Sequence, residues 1–196
     1  MKTISMTLAA AILLASPAAH AHKLIKPGIQ SNIARKAFSA SPTIEWNRLD
    51  QKEGKYQEIW TVDGDELNRV MFFGGVPVGE ALFKERSKEQ PLPKVSAGML
   101  ITDIPSLLES TYRAQGRTAR MTIEEQYPAV LDGKNGIRFV YSYVGRDDEV
   151  ERKGEAFGAV VDGRLFLVNY EAPRLFFFDK DLANFRQIAT SLRFNF

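Results

Sequence analysis

Residues 155–171 read EAFGAVVDGRLFLVNYE, two apolar runs on either side of Asp162–Gly163. An Asp-Gly pair takes the left-handed angles of a two-residue hairpin turn with little penalty, so this stretch predicts two antiparallel strands. Upstream, IRFVYSYVG (137–145) is a β-branched and aromatic run, preceded by a turn-rich LDGKNG (131–136) and a mixed polar–apolar strand, ARMTIEEQ (119–126). Downstream, Phe178, Leu182, Phe185, Ile188, Ala189 and Leu192 recur at spacings of three and four. That stripe predicts a core-facing helix from about Lys180 to Leu192, capped by Asp179.

The earlier half carries a second helix and two more strands. In ITDIPSLLESTYRAQG (101–116), Asp103 is placed to cap and Pro105 suits the first turn. Ile104, Leu107, Leu108 and Tyr112 share a face, and Gly116 ends the helix. YQEIWTV (56–62) and LNRVMFF (67–73) flank Asp63–Gly64 as β-rich runs, Gly74–Gly75 interrupts the second as a bulge or turn, and SKEQPLPK (87–94) is a loop. Strand-rich runs follow one another instead of alternating with helices. This pattern argues for an α+β domain, a mainly antiparallel sheet flanked by helices.

The first residues read as an export signal. Lys2 is followed by the apolar run TLAAAILLA (7–15), a Ser16–Pro17 break, and small residues at Ala19 and Ala21. The run is shorter than the ~20 residues a permanent span needs. The expectation is a cleaved signal peptide over 1–21, a basic N-terminal arm over 22–37, and one domain over 38–196. A cysteine-free chain excludes a lipoprotein anchor, disulfides, zinc–thiolate sites and cysteine nucleophiles. The expected location is therefore the periplasm, as an exported chain that is not a lipoprotein. With 26 basic against 24 acidic residues, no strong field is available to gather nucleic acid.

Chemistry-bearing motifs are sparse. The only histidines are His20 and His22. A cut after Ala21 leaves His22 at the new N-terminus without a second histidine to complete a copper site, so no metal and no cofactor is expected. A serine triad lacks its histidine base, and no phosphate-binding glycine loop is present. Acidic groups at Asp63/Asp65, Glu124–Glu125 and Asp147–Asp148–Glu149 leave a carboxylate-dependent enzyme as a third reading. Adjacent strand residues such as Glu124 and Glu125, however, point to opposite faces. The more suggestive group is aromatic: Tyr170, Phe176 and Phe177 beside Arg174. Three successive phenylalanines (176–178) cannot all face inward. This edge is the candidate site for a protein partner or, alternatively, for a small hydrophobic ligand carried by the chain.

The order of features resembles a known family. Phe38-Ser-Ala-Ser-Pro42 followed by Trp46, the late hairpin, Tyr170-Glu-Ala-Pro173, and a closing helix ending Ile188-Ala-Thr-Ser-Leu192 are similar to PsbP-like proteins. The Ran-binding protein Mog shares that fold. WTVDGDELNRV (60–70) with GGV-x-x-GE-x-L (74–82) also looks like a group of proteobacterial envelope proteins. The resemblance implies an α/β/α sandwich and a non-enzymatic accessory role; the expected partner is an envelope protein or a small hydrophobic ligand.

Overall fold

The computed structural model describes residues 23–87, 89–146 and 149–195. The expected signal-peptide cut, His20, His22 and the pair Asp147–Asp148 lie outside the described residues. Asp162 and Gly163 both have positive φ (49° and 70°) and join β9 (Glu151–Val161) to β10 (Arg164–Pro173) as the sequence predicts. The same chemistry recurs at Asp132–Gly133, which joins β7 (Thr118–Leu131) to β8 (Lys134–Gly145). β7 therefore runs five residues past the expected strand, through Pro128. It can do so because it is the sheet's edge, where proline leaves no ladder bond unmade.

The remaining strands are β1 (Lys23–Ile25), β2 (Gln30–Asn32), β3 (Phe38–Ala40), β4 (Trp46–Arg48), β5 (Gln57–Thr61), β6 (Arg69–Val76) and β11 (Arg193–Phe194). An eight-stranded antiparallel sheet has the order β1-β4-β5-β6-β10-β9-β8-β7, and β11-β3-β2 form a small second sheet. Within the stretch 22–37 read from sequence as an arm, the described residues Ile25, Ile33 and Ala34 lie in the core. Between β2 and β3, α1 (Ile33–Lys36) is a single turn with left-handed backbone angles.

The sheet is buried on both sides, with a helix on each. On β6, Val70 and Phe72 face one core and Met71 and Phe73 the other, as strand alternation requires. The first core receives Phe178, Phe185 and Ile188 from α3 (Phe177–Ser191). The second receives Ile104, Leu107, Leu108 and Tyr112 from α2 (Ile104–Ala114). This α+β arrangement is the expected one, an antiparallel sheet between helices.

Helix starts differ from expectation. Asp103 makes no side-chain cap; its Oδ2 accepts the Leu100 N–H at 2.9 Å instead. α3 begins at Phe177, ahead of Lys180, because the chain reverses sharply at Phe176 and can enter the helix at once. Asp179 then lies in the first turn, near the positive helix end, without capping.

Candidate functional site

The densest polar chemistry lies on the α2 side of the sheet, along one row of cross-strand partners. Register places Tyr141 of β8 opposite Gly154 of β9, Gly154 opposite Glu171 of β10, and Glu171 opposite Arg69 of β6. Because Gly154 has no side chain, the Tyr141 ring crosses it, and its hydroxyl donates to Glu171 Oε2 at 3.2 Å. Tyr112, arriving from α2, donates to the same oxygen at 2.6 Å. Arg69 Nε lies 2.8 Å from Glu171 Oε1, an ion pair whose geometry is too skewed for a hydrogen bond. Asn169 accepts from Tyr141 at 2.9 Å and donates to the Tyr112 hydroxyl at 3.3 Å.

Electrostatics bind this row together. Burial pushes the Glu171 carboxyl up, but Arg69, Arg117, Arg152 and the Tyr112 hydrogen bond outweigh it and leave the group below the usual carboxylate range. Burial first, and then the charge of Glu171, holds the Tyr112 hydroxyl well above its ordinary value. Arg117 pairs with Glu53 at 2.6 Å, and Arg152 donates twice to the Glu66 carbonyl at 3.0 Å. Glu171, Tyr112 and Tyr141 are all fully buried. Bonded to one another and buried, these groups tie α2 to four strands as an internal clamp.

Of the acidic residues singled out from sequence, Asp63, Asp65 and Glu124 each lie beside a cation. Asp63 receives Lys180 Nζ on both carboxylate oxygens at 2.6 Å, and Asp65 lies 3.6 Å from Arg69. Glu124 is 3.2 Å from Lys153. A second buried carboxylate, Glu155, faces α3, where Arg186 grips it through Nε and Nη2 at 2.9 and 2.7 Å. Arg138 adds a bond at 2.9 Å.

The aromatic edge proposed from sequence divides in two. Tyr170 is fully buried, stacked on Phe185 at 5.3 Å and tilted against Phe178 at 5.6 Å. Its hydroxyl donates to the carbonyls of Phe177 and Phe178 at 2.9 and 3.1 Å, so it anchors the helix start and presents no surface. Arg174 is exposed and paired with Glu151 at 2.7 Å. Phe177 is half-buried, and its ring meets Phe176 edge-on at 5.1 Å. Phe176 itself is 71% exposed, beside Leu175 at 85%.

The backbone beneath that tip is strained. Phe176 has φ 68° and ψ −57°, and the Phe177 N–H donates to the Leu175 carbonyl at 2.8 Å. This is the γ-turn of rare hand, which side-chain-bearing residues seldom adopt. Leu175 was missed from sequence, since nothing in RLFFF says which residue the turn will expose. Arg69 and Glu171 were missed as well, although each is an ionisable group inside an apolar strand run, a pattern that requires a buried partner.

No family model matches the chain, and no curated protein matches it. Among solved structures, the chain is similar to the solution structure of cyanobacterial PsbP (CyanoP) from Synechocystis sp. PCC 6803. The TM-score is 0.53 at 12% identity, over 93% of this chain and 99% of that one. The chain has a PsbP-like fold.

Proposed function

We propose that this chain is an exported, non-catalytic accessory protein of the cell envelope that docks on a protein partner through the Leu175–Phe176 tip. The observation that carries the reading is the tip itself: two large apolar side chains held in solvent by a strained γ-turn. Strain of this kind, about 1–3 kcal/mol per residue, concentrates at binding and switch sites. The internal carboxylates and tyrosines support the non-catalytic part, since they are committed to one another out of reach of solvent. The apolar run at 7–15 and the small residues at Ala19 and Ala21 support export. No helix among the described residues is long and apolar enough to cross a membrane.

A photo-crosslinking residue placed at 176 in intact cells should yield one discrete adduct. The same residue at Val130, which is equally exposed on β7, should not. Matching adduct patterns at the two positions would sink the reading. Sequencing the N-terminus of the exported protein should give His22 as the first residue.

Phe176→Gly offers a separate check on the strain. Glycine adopts the turn freely, so stability should rise by about 1 kcal/mol in denaturant titration, while partner crosslinking from position 175 falls. A loss of stability would show that the phenylalanine is there for packing.

A further inference from the structure

The opposite end of β10 carries another departure from ordinary backbone geometry. Asn32, Ala34, Arg35 and Lys36 all have positive φ, at 69°, 46°, 62° and 70°. None is glycine, and in this region Cβ crowds the following carbonyl oxygen. Two features hold the turn in place. Buried Glu58 accepts the Ala34 N–H on Oε2 at 3.1 Å while its Oε1 accepts from Trp60 Nε1 at 2.8 Å. Gly74 of β6 is bare where the turn presses down: a Cβ there would lie 2.4 Å from the Ala37 Cβ and 2.9 Å from the Ala34 carbonyl oxygen.

Both supports act on Ala34 and Ala37, and both would serve equally well with glycine at 35 and 36. Glycine would also remove the strain. The side chains of Arg35 and Lys36 therefore need a reason of their own. They line a groove of about 650 Å³ with Arg164, the first residue of β10, and with Tyr56 and Asp162. Arg35 lies over the Tyr56 ring at 5.7 Å. Lys55 lies over the same ring at 5.1 Å but is taken by Glu80 at 2.9 Å. Among the described residues, Arg35, Lys36 and Arg164 make no ion pair; Asp162, in the hairpin turn, is the one carboxylate in the groove lining.

Two arginines and a lysine lining one groove supply a recognition set for phosphate. Each guanidinium can offer two parallel N–H donors to a pair of phosphate oxygens, and the ammonium adds a point charge. We propose that this groove binds the phosphate group of a ligand, held by Arg35, Lys36 and Arg164. The site is independent of the Leu175–Phe176 tip, which lies at the other end of β10, ~30 Å away at strand rise.

The test uses the exported full chain and two probes: pyrophosphate by isothermal titration, and phosphatidylglycerol vesicles by co-sedimentation, with phosphatidylcholine vesicles as the blank. Saturable, salt-sensitive binding of pyrophosphate alone points to a soluble phosphoester, and binding of the anionic vesicles points to a lipid headgroup. Either supports the site. Arg35→Glu/Arg164→Glu should weaken binding about tenfold or more, and Asp162→Asn should tighten it. Arg86→Glu/Arg113→Glu, in a separate cation-lined groove of about 460 Å³, should leave binding unchanged. Lys36→Gly should weaken binding yet raise Tm by about 2–4 °C, because it removes one strained residue. Saturable binding to neither probe, or equal loss from both charge-reversed pairs, would overturn the proposal, as would a lowered Tm for Lys36→Gly.

Discussion

Glu171→Gln is expected to destabilise the protein by about 3 kcal/mol, a fall in Tm of about 6–12 °C. The substitution keeps shape and volume but removes the charge that Arg69 faces at 2.8 Å inside the sheet. Arg117 and Arg152 keep Glu53 and the Glu66 carbonyl, whereas Arg69 retains only the contacts at 3.6 Å to Glu53 and Asp65. The loss comes from leaving a desolvated guanidinium uncompensated, so it should shrink when the guanidinium goes too. Glu171→Gln/Arg69→Met should therefore be more stable than Glu171→Gln alone. A single-variant loss below about 1 kcal/mol in denaturant unfolding would mean that water already reaches the pair.

The same residue sets part of the acid limb of stability. Glu171 in the fold lies below its unfolded value of about 4.3, since Arg69, Arg117 and Arg152 outweigh the cost of burial. Glu155 is likewise lowered, with burial outweighed by its bonds to Arg186 and Arg138. In this window the unfolded chain binds more protons than the native one, so stability rises with pH. The contribution is complete above the unfolded value and disappears as pH falls through the folded values. Urea midpoints of the natural protein should drop steeply below about pH 4. Those of Glu171→Gln should drop less steeply over the same range.

Gly154→Ala carries the second large effect, about 3 kcal/mol. A Cβ at this position would lie 2.1 Å from Tyr141 Cζ and 2.4 Å from its hydroxyl oxygen. Tyr141 cannot step aside cheaply, because its hydroxyl is bonded to both Asn169 and Glu171 and its ring packs beside Tyr112 and Tyr143. A single methyl group therefore separates Tyr141 from Glu171 and loosens the whole row. Near-UV circular dichroism from these tyrosines should weaken together with the thermal midpoint. Retention of both signals would show that the ring has room to move.

Much of the fold was legible because local rules and tertiary packing agree. Asp162–Gly163 makes its turn by its own backbone preferences, and Ile104, Leu107, Leu108 and Tyr112 mark a helix face wherever that helix docks. Gly74–Gly75 read as an interruption by a bulge or turn, and both lie within β6, whose ladder with β10 shifts register there. Disagreements arose where a neighbour overrode a local signal. Residues 22–37 read as a basic arm, but among those described Ile25, Ile33 and Ala34 are buried in the core. The candidate edge was half legible. The run Phe176–Phe178 required one ring at the surface, whereas Tyr170 gave no sign that it would point beneath α3.

The amino-acid sequence by itself determined the α+β class, the strand-turn-strand order, the two helices and the absence of cysteine chemistry. These follow from hydrophobic period and turn propensity, which act over a few residues. Only the tertiary structure decided which side chains meet. The row Tyr141–Gly154–Glu171–Arg69 joins four strands through register, and one residue of slip would send each member to the other face. The same holds for the two strained turns. Positive φ at Phe176, Arg35 and Lys36 runs against the preference of the residues themselves and is held by contacts of their neighbours, Tyr170 at Phe177 and Phe178 and Glu58 and Gly74 at Ala34 and Ala37.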